Sequence, residues 1–332
     1  MSRADKYEHL KRLYKAFSEP YRGTIYHYTS ADAISGIIGN HEIWMSNTAF
    51  LNDPTELKVL GKDTSLLNDN DFTNDAVRER WRSMVDLNGF NGTRHPDQYM
   101  ASFSRKRDSL EQWRAYGNFC IGFDASKLKL ALRRNIFLYK CLYTRSDIRK
   151  WILKNERIPE WTSLSDEGQK TTAAWNLVYI ASMKYKNSHF SSEKEIRLIA
   201  ASHHNWYYQN SPEMYEDDLP IHFRPHRHYG FPLPYLKFFI ERKSNNPLQG
   251  TKETETQMKE RKLNEKSVIQ RELLPITEII VGPMSPPKEA KTAFEILLSE
   301  RGYKQVPVNE SKIPYRGTSL HLTPIRRTIQ LA

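Results

Sequence analysis

The sequence predicts an α+β fold, a twisted mixed β-sheet with helices packed at its sides. Two observations carry this. Short runs rich in β-branched and aromatic residues recur along the chain, at 25–28, 43–46, 99–104, 119–123, 137–143 and 278–281. Helical segments of unequal length separate them, and no internal repeat is visible. With 332 residues, 39% hydrophobic and 12% aromatic, the chain can bury a core of normal size without covalent staples.

One domain is expected over 23–315, preceded by a helical extension at 1–22, interrupted by a loop and helical insertion at 203–272, and followed by a peripheral tail at 316–332. In the extension Tyr7, Leu10, Leu13, Tyr14 and Phe17 stand at helical spacing. Ile25, Tyr26 and Tyr28 then read as a strand, with helix-capping chemistry at Thr29 and Ser30. Ile34, Ile37 and Ile38 repeat as on a helix face, and Gly39-Asn40 stops that helix. A second strand runs over 43–46. Asp53 is a natural N-cap, with Pro54 at the first helical position and Glu56 three residues after the cap. His27 and Ser46 fall at strand ends, where loops gather ligands.

Residues 55–86 read as helical, broken at 68–71, and 87–96 as a loop. The strand at 99–104 ends in a basic loop, Arg105-Lys106-Arg107. Asp108 is expected to cap a short helix that Gly117 ends, and Trp113 and Tyr116, three apart, share a face of it. A helix at 126–134 separates two strands, 145–157 is basic, and 168–186 is the clearest long helix. The stretch 203–235, rich in His, Tyr, Trp and Pro, reads as an elaborated loop, 236–240 as a strand and 252–272 as a charged, solvated helix. A strand at 278–281, a helix at 287–300 and an edge strand at 306–308 close the domain.

The segment 193–200 has two readings. As a strand it directs Ile196, Leu198 and Ala200 to one side and Glu193, Glu195 and Arg197 to the other. As a helix end it pairs Glu193 with Arg197 in the solvent. Strand is favoured by the β-branched content and length, and the charged face reads either as a site or as a surface ion-pair ladder.

The formal charge is +11 with a pI near 9.4, which favours polyanionic partners, although the basic residues are spread along the chain. Cys120 and Cys141 lack metal-ligand spacing and read as packing residues in a reducing compartment. His222, His226 and His228 have no partners that complete a metal site, and none is expected. No phosphate-binding glycine loop or serine-hydrolase elbow occurs. The first residues contain no apolar leader core, and 171–183 is too short to cross a bilayer. A cytoplasmic protein with no membrane role is expected.

Tyr-His-Tyr-Thr-Ser at 26–30, Ile-Trp-Met-Ser at 43–46, Asn-Asp-Pro-Thr-Glu at 52–56, Phe-Ser at 103–104, Trp-Arg-Ala-Tyr-Gly at 113–117, Glu-Lys-Glu-Ile-Arg at 193–197 and Ile-Ile-Val-Gly-Pro at 279–283 together resemble a bacterial family, domain of unknown function 2971. That family is distantly similar to ADP-ribosyltransferases, whose split, mixed β-fold grips NAD as a co-substrate. The resemblance implies that His27, beside Tyr28 and Thr29, binds the adenosine ribose and that Tyr116 stacks on nicotinamide. It implies that Glu195 is the catalytic carboxylate and Glu193 its partner acid. Ser46 and Ser104 would line the pocket, and Arg197 would hold Glu195 ionised or bind a phosphate. The first-strand arginine of the toxin-like transferases has no counterpart.

The expected function is therefore NAD-dependent ADP-ribosylation of a macromolecule, protein, DNA or RNA, as in a toxin or antiphage effector. Glu195→Gln is expected to abolish it and leave the fold intact. The alternative is a non-catalytic module that binds a nucleotide or nucleic acid through the same pocket and its basic loops. A metal-dependent nuclease built on Asp53, Glu56 and Glu195 is a third reading. The acceptor and the oligomeric state are not legible.

Overall fold

A computed structural model describes residues 21–51, 59–86, 98–130, 136–164, 167–201, 220–226, 230–241 and 271–315. The expected helix in the N-terminal extension, the capping residues Asp53 and Glu56, the loop at 87–96, residues 252–270 of the charged helix expected at 252–272 and the tail at 316–332 lie outside the described residues.

The strands are β1 (Thr24–Thr29), β2 (Ile43–Asn47), β3 (Gln98–Ser104), β4 (Phe119–Asp124), β5 (Ile136–Lys140), β6 (Glu195–Ala201), β7 (His222–Pro225), β8 (Pro232–Phe238), β9 (Ile276–Val281) and β10 (Val308–Glu310). They form one sheet in the order β10-β9-β4-β1-β3-β2-β8-β7, with β6 and β5 added at β3. All the pairings are antiparallel except β9 with β10. The α+β class and the mixed sheet are as expected.

The sheet forks at β3. One edge of β3 pairs with β6 along its whole length, from Gln98↔Ala201 to Ser104↔Glu195. The other edge is shared, with β1 meeting it at Ser104 and β2 at Tyr99 and Met100. Between these contacts the edge of β3 has no strand partner, and the backbone there needs other donors.

Helices cover both faces. On the first, Ile34, Ile37 and Ile38 of α1 (Ala31–Asn40), Leu128 of α5 (Ala125–Leu130) and Phe294 and Leu298 of α8 (Pro287–Glu300) pack on Ile25, Met45, Phe103, Ile121, Ile196 and Leu198. On the second, α2 (Val59–Lys62), α3 (Asp75–Asp86), α6 (Arg145–Asn155) and α7 (Glu167–Lys184) enclose Met100, Tyr139 and Ile199. The short α4 (Leu110–Tyr116) adds Trp113 to a small cluster with Tyr26, Tyr28, Cys120 and Ile280. Both cysteines are buried free thiols.

Local signals hold where one side chain decides the geometry. Ser30 caps α1 by accepting the Ala33 amide proton, 3.3 Å away. The stop of α1 is carried by His41 in the left-handed conformation, φ 52°, rather than by Gly39-Asn40. Ser109, not Asp108, occupies the N-cap of α4. Asp108 instead accepts from Trp113 Nε1 at 2.7 Å, Ser311 Oγ at 2.8 Å and the Lys312 amide at 2.8 Å. Those donors come from an indole and a distant segment, which a capping pattern does not see.

The expected helix at 55–86 is represented by α2, two 3₁₀ turns at Thr64–Leu66 and Asp69–Asp71, and α3. The stretch read as an elaborated loop supplies β7 and the first half of β8, whose second half lies in the strand expected at 236–240, because His222–Pro225 find a partner in the 232–235 segment and β8 finds β2. Among the described residues no helix is long and apolar enough to cross a membrane.

Candidate functional site

The chain reverses from the end of α7 into β6 through a 3₁₀ turn, Ser188–Glu193, and one left-handed residue, Lys194, at φ 49° and ψ 46°. This local geometry departs from the expected strand, which would begin at Glu193. Glu193 closes the turn and Glu195 opens β6, yet their carboxylates converge. Lys186 Nζ donates to Glu193 Oε2 at 2.6 Å and to Glu195 Oε2 at 2.8 Å. Arg197 Nη2 donates to the same oxygen of Glu195 at 3.1 Å, and its Nη1 donates to the Met183 carbonyl at 2.6 Å.

Two carboxylates and two cations are thereby held at the end of α7, on the second face of the sheet. Glu195 is only 3% exposed, and the Cys141 thiol lies 3.5 Å from its Oε2. Burial pushes its pKa up, but the charges of Arg197 and Lys186 and their hydrogen bonds outweigh that and leave it at about 2. It is a fixed anion, an acceptor only, and far too weak a base to take a proton near neutral pH. Its back was expected to be buried; its charged side is buried too.

Glu193 is the outer member. Its Oε1 accepts from Tyr116 Oη at 2.9 Å, and its backbone carbonyl accepts from Ser104 Oγ at 2.6 Å. Ser104 Oγ in turn accepts the Lys106 amide proton at 3.0 Å. Tyr116 is 44% exposed at the C-terminal end of α4. Its phenol is pushed well above the ordinary range, first by burial of its oxygen and then by the neighbouring Glu193, so it remains a donor. Trp113, expected on a shared face with it, is buried against Tyr28, with ring centroids 4.6 Å apart.

Tyr116, Ser104, Glu193, Glu195 and Arg197 are thus brought together. His27 is not. Tyr26 pairs with Ser104 and Ser104 with Glu195, so these share a face, while His27, one residue on, pairs with Ile121 on the opposite face beside Phe103. Its Nδ1 lies 2.9 Å from the Ser102 carbonyl, on the stretch of β3 that the fork leaves without a strand partner. Burial lowers its pKa despite that hydrogen bond. The imidazole has a structural task here, supplying the donor that a neighbouring strand would have given.

Tyr28 Oη donates to the Lys106 carbonyl at 2.7 Å and belongs to the small aromatic cluster. Thr29 ends β1, with its carbonyl under Gly117. Ser46 lies toward the far end of β3, paired with Met100, and accepts from Arg224 Nη2 at 3.5 Å. Asp53 and Glu56 are outside the described residues, and among those described no group of three His, Cys, Asp or Glu side chains is placed to hold a metal ion.

Lys186 was not among the residues singled out from the sequence. It stood there as the last cation of a helix expected over 168–186, indistinguishable from a solvated terminal lysine. A cleft lined by Asn74, Glu156, Arg157 and Trp161 opens at the N-terminus of α3. There Glu156 accepts the Thr73 and Asn74 amide protons at 3.1 and 3.0 Å, and a carboxylate at that mouth disfavours a further anion.

Residues 112–198 match the model of a family described as protein of unknown function (DUF2971). This span runs from α4 through β6 and contains Tyr116, Lys186, Glu193, Glu195 and Arg197. No curated protein and no solved structure matches the chain.

Proposed function

We propose, for a chain whose residues 112–198 carry the DUF2971 pattern, that it is an ADP-ribosyltransferase-like enzyme using NAD as co-substrate and a macromolecule as acceptor, with Glu193 as the carboxylate that meets the substrate. One observation supports this above the rest: a single ammonium, Lys186, bridges two carboxylates, and the outer one is held by a half-exposed tyrosine.

The chemistry asks for this. When the bond between ribose C1′ and the nicotinamide nitrogen breaks, its electron pair leaves with nicotinamide and positive charge develops on the ribose. A carboxylate at that ring stabilises the charge. The acceptor's nucleophilic atom then bonds to C1′ and gives its proton to Glu193. Tyr116 orients Glu193 and offers a ring face to nicotinamide. Glu195 is a positioning residue in this scheme, because its buried charge holds Lys186, and Lys186 holds Glu193. The adenosine end would be gripped from this same face of the sheet, without His27.

The purified protein is incubated with adenine-labelled NAD, alone and with lysate, DNA or RNA. Wild type should release nicotinamide and label one fraction, and Glu193→Gln should slow this by about 10²–10³-fold, the usual cost of losing one electrostatic stabiliser. Absence of NAD binding and turnover with every acceptor would overturn the proposal. Label on a component of the protein-synthesis or replication machinery would fit a toxin or antiphage effector.

A further inference from the structure

At the end of the sheet formed by β2, β8 and β7, no helix among the described residues packs on the second face. Met100 of β3 is buried, whereas Trp44 on the adjoining β2 is 42% exposed. Register aligns Trp44 with Lys237, Ser46 with Tyr235, Tyr235 with His222 and Leu233 with Arg224, so these side chains share this face. Three rings from three adjacent strands stand side by side. Trp44 and Tyr235 have centroids 4.4 Å apart at 31°, and Tyr235 and His222 5.6 Å apart at 33°.

The Arg224 guanidinium lies 5.9 Å from the centre of the Trp44 ring. Beyond it the strip continues through Phe50 and Phe231, 6.1 Å apart, which are 48% and 41% exposed, with His226 stacked on Phe231 at 4.7 Å. At the other end Glu42 is buried and ties the strip down. It accepts from Trp44 Nε1 at 2.7 Å and from Arg271 Nη1 at 2.7 Å, and Lys237 Nζ lies 3.3 Å from it.

A cross-strand aromatic ladder can stabilise a sheet edge by itself. It does not account for three large apolar side chains left in water and interleaved with cations. We propose that this strip is a binding surface for single-stranded nucleic acid, with Trp44, Phe50 and Phe231 as stacking faces for unpaired bases and Arg224, Lys237 and Arg271 beside the phosphates. The Glu42 hydrogen bond fixes the indole before any ligand arrives, which lowers the entropy cost of stacking on it. Unpaired bases offer their faces to such rings and duplex bases do not. The chain's charge of +11 adds attraction for a polyanion. The surface is distinct from the Glu193 site, and from the basic loop at 105–107 and the basic segment at 145–157.

Anisotropy of a labelled oligothymidylate or oligouridylate, measured on the full chain over a range of salt, tests this. Wild type should bind with an affinity that falls steeply as salt rises. Trp44→Leu should weaken binding by about tenfold or more. Arg224→Glu should weaken it too and reduce the salt slope by about 1, while thermal melting shows both variants folded. Both positions are exposed, so either variant alone keeps the test decisive. Glu193→Gln should bind as wild type does. The proposal is overturned if the oligonucleotide is not bound, if either surface variant, shown to be folded, binds unchanged, if a duplex of equal length binds as tightly, or if polyglutamate displaces the strand equally well.

Discussion

Glu195 and Glu193 stand two residues apart in different surroundings, one enclosed and the other at the rim. Glu195 is enclosed with Lys186 and Arg197, and removing one partner of a buried charge group typically costs about 3–5 kcal/mol. Glu195→Gln should therefore lower the denaturation midpoint markedly, as urea unfolding would reveal. This replaces the expectation that the substitution leaves the fold intact. Its folded pKa of about 2, against 4.5 ordinarily, makes the unfolded chain the better proton binder between those values. The stability that Glu195 contributes is present above pH 4.5 and lost as pH falls toward 2, on the order of 3 kcal/mol in total. An acid titration of the wild type should show that limb, and one of Glu195→Gln should lack it. Glu193→Gln, at the rim, should change NAD turnover far more than stability. Glu193, Glu195 and Arg197 were legible as a charged alternation; Lys186 was not, because nothing in a helix-ending lysine tells whether it points to solvent or into a carboxylate pair.

The elements that position the site depend on one tight backbone passage. Gly117 has φ 136°, and a Cβ built there would lie 2.4 Å from the Thr29 carbonyl oxygen. Backbone against backbone leaves no flexible atom to yield, so Gly117→Ala should cost at least about 2 kcal/mol and displace Tyr116, its neighbour. Thermal melting reads the first effect and the nicotinamide-release assay the second. A glycine ending a short helix was legible, but its close approach to β1 was not. Glu156 gives a parallel case. It braces the entry to α3 from another element, accepting from the Thr73 hydroxyl and from the Thr73 and Asn74 amides, and Glu156→Ala should cost about 2 kcal/mol in urea unfolding. The cap itself is local, Asn74 Oδ1 accepting the Val77 amide proton at 3.2 Å, whereas the Glu156 contact comes from 82 residues away, beyond the reach of a sequence capping pattern.

Across the molecule, the sheet divides the chemistry. Its first face is an apolar interior shared with α1, α5 and α8, and its second buries the charged cluster beneath α7 before opening at Trp44. The fork at β3 separates β1 from β2 and engages His27 in its gap. Cys120 and Cys141 lie in buried positions on β4 and just after β5, and burial raises the Cys120 thiol well above its usual range. A thiol reagent should therefore find neither cysteine in the native protein and both after unfolding, with loss of protection tracking the global transition.

Sequence alone set the type of such elements as β1, with its Ile25 and Tyr28, and α8 over 287–300, because a run's period and its capping residues are local properties. It also determined the alternation that sets Glu195 and Arg197 against Ile196 and Leu198. The tertiary structure decided that His27 lies across the sheet from Glu195, since a one-residue difference in register selects the face and register is fixed between strands far apart in the chain. It decided that a histidine- and proline-rich stretch forms β7 and the first half of β8, because β2 and β8 offered ladder partners. And it decided which charges are buried together, because an ion pair between segments is formed by packing and leaves no periodic trace in either one.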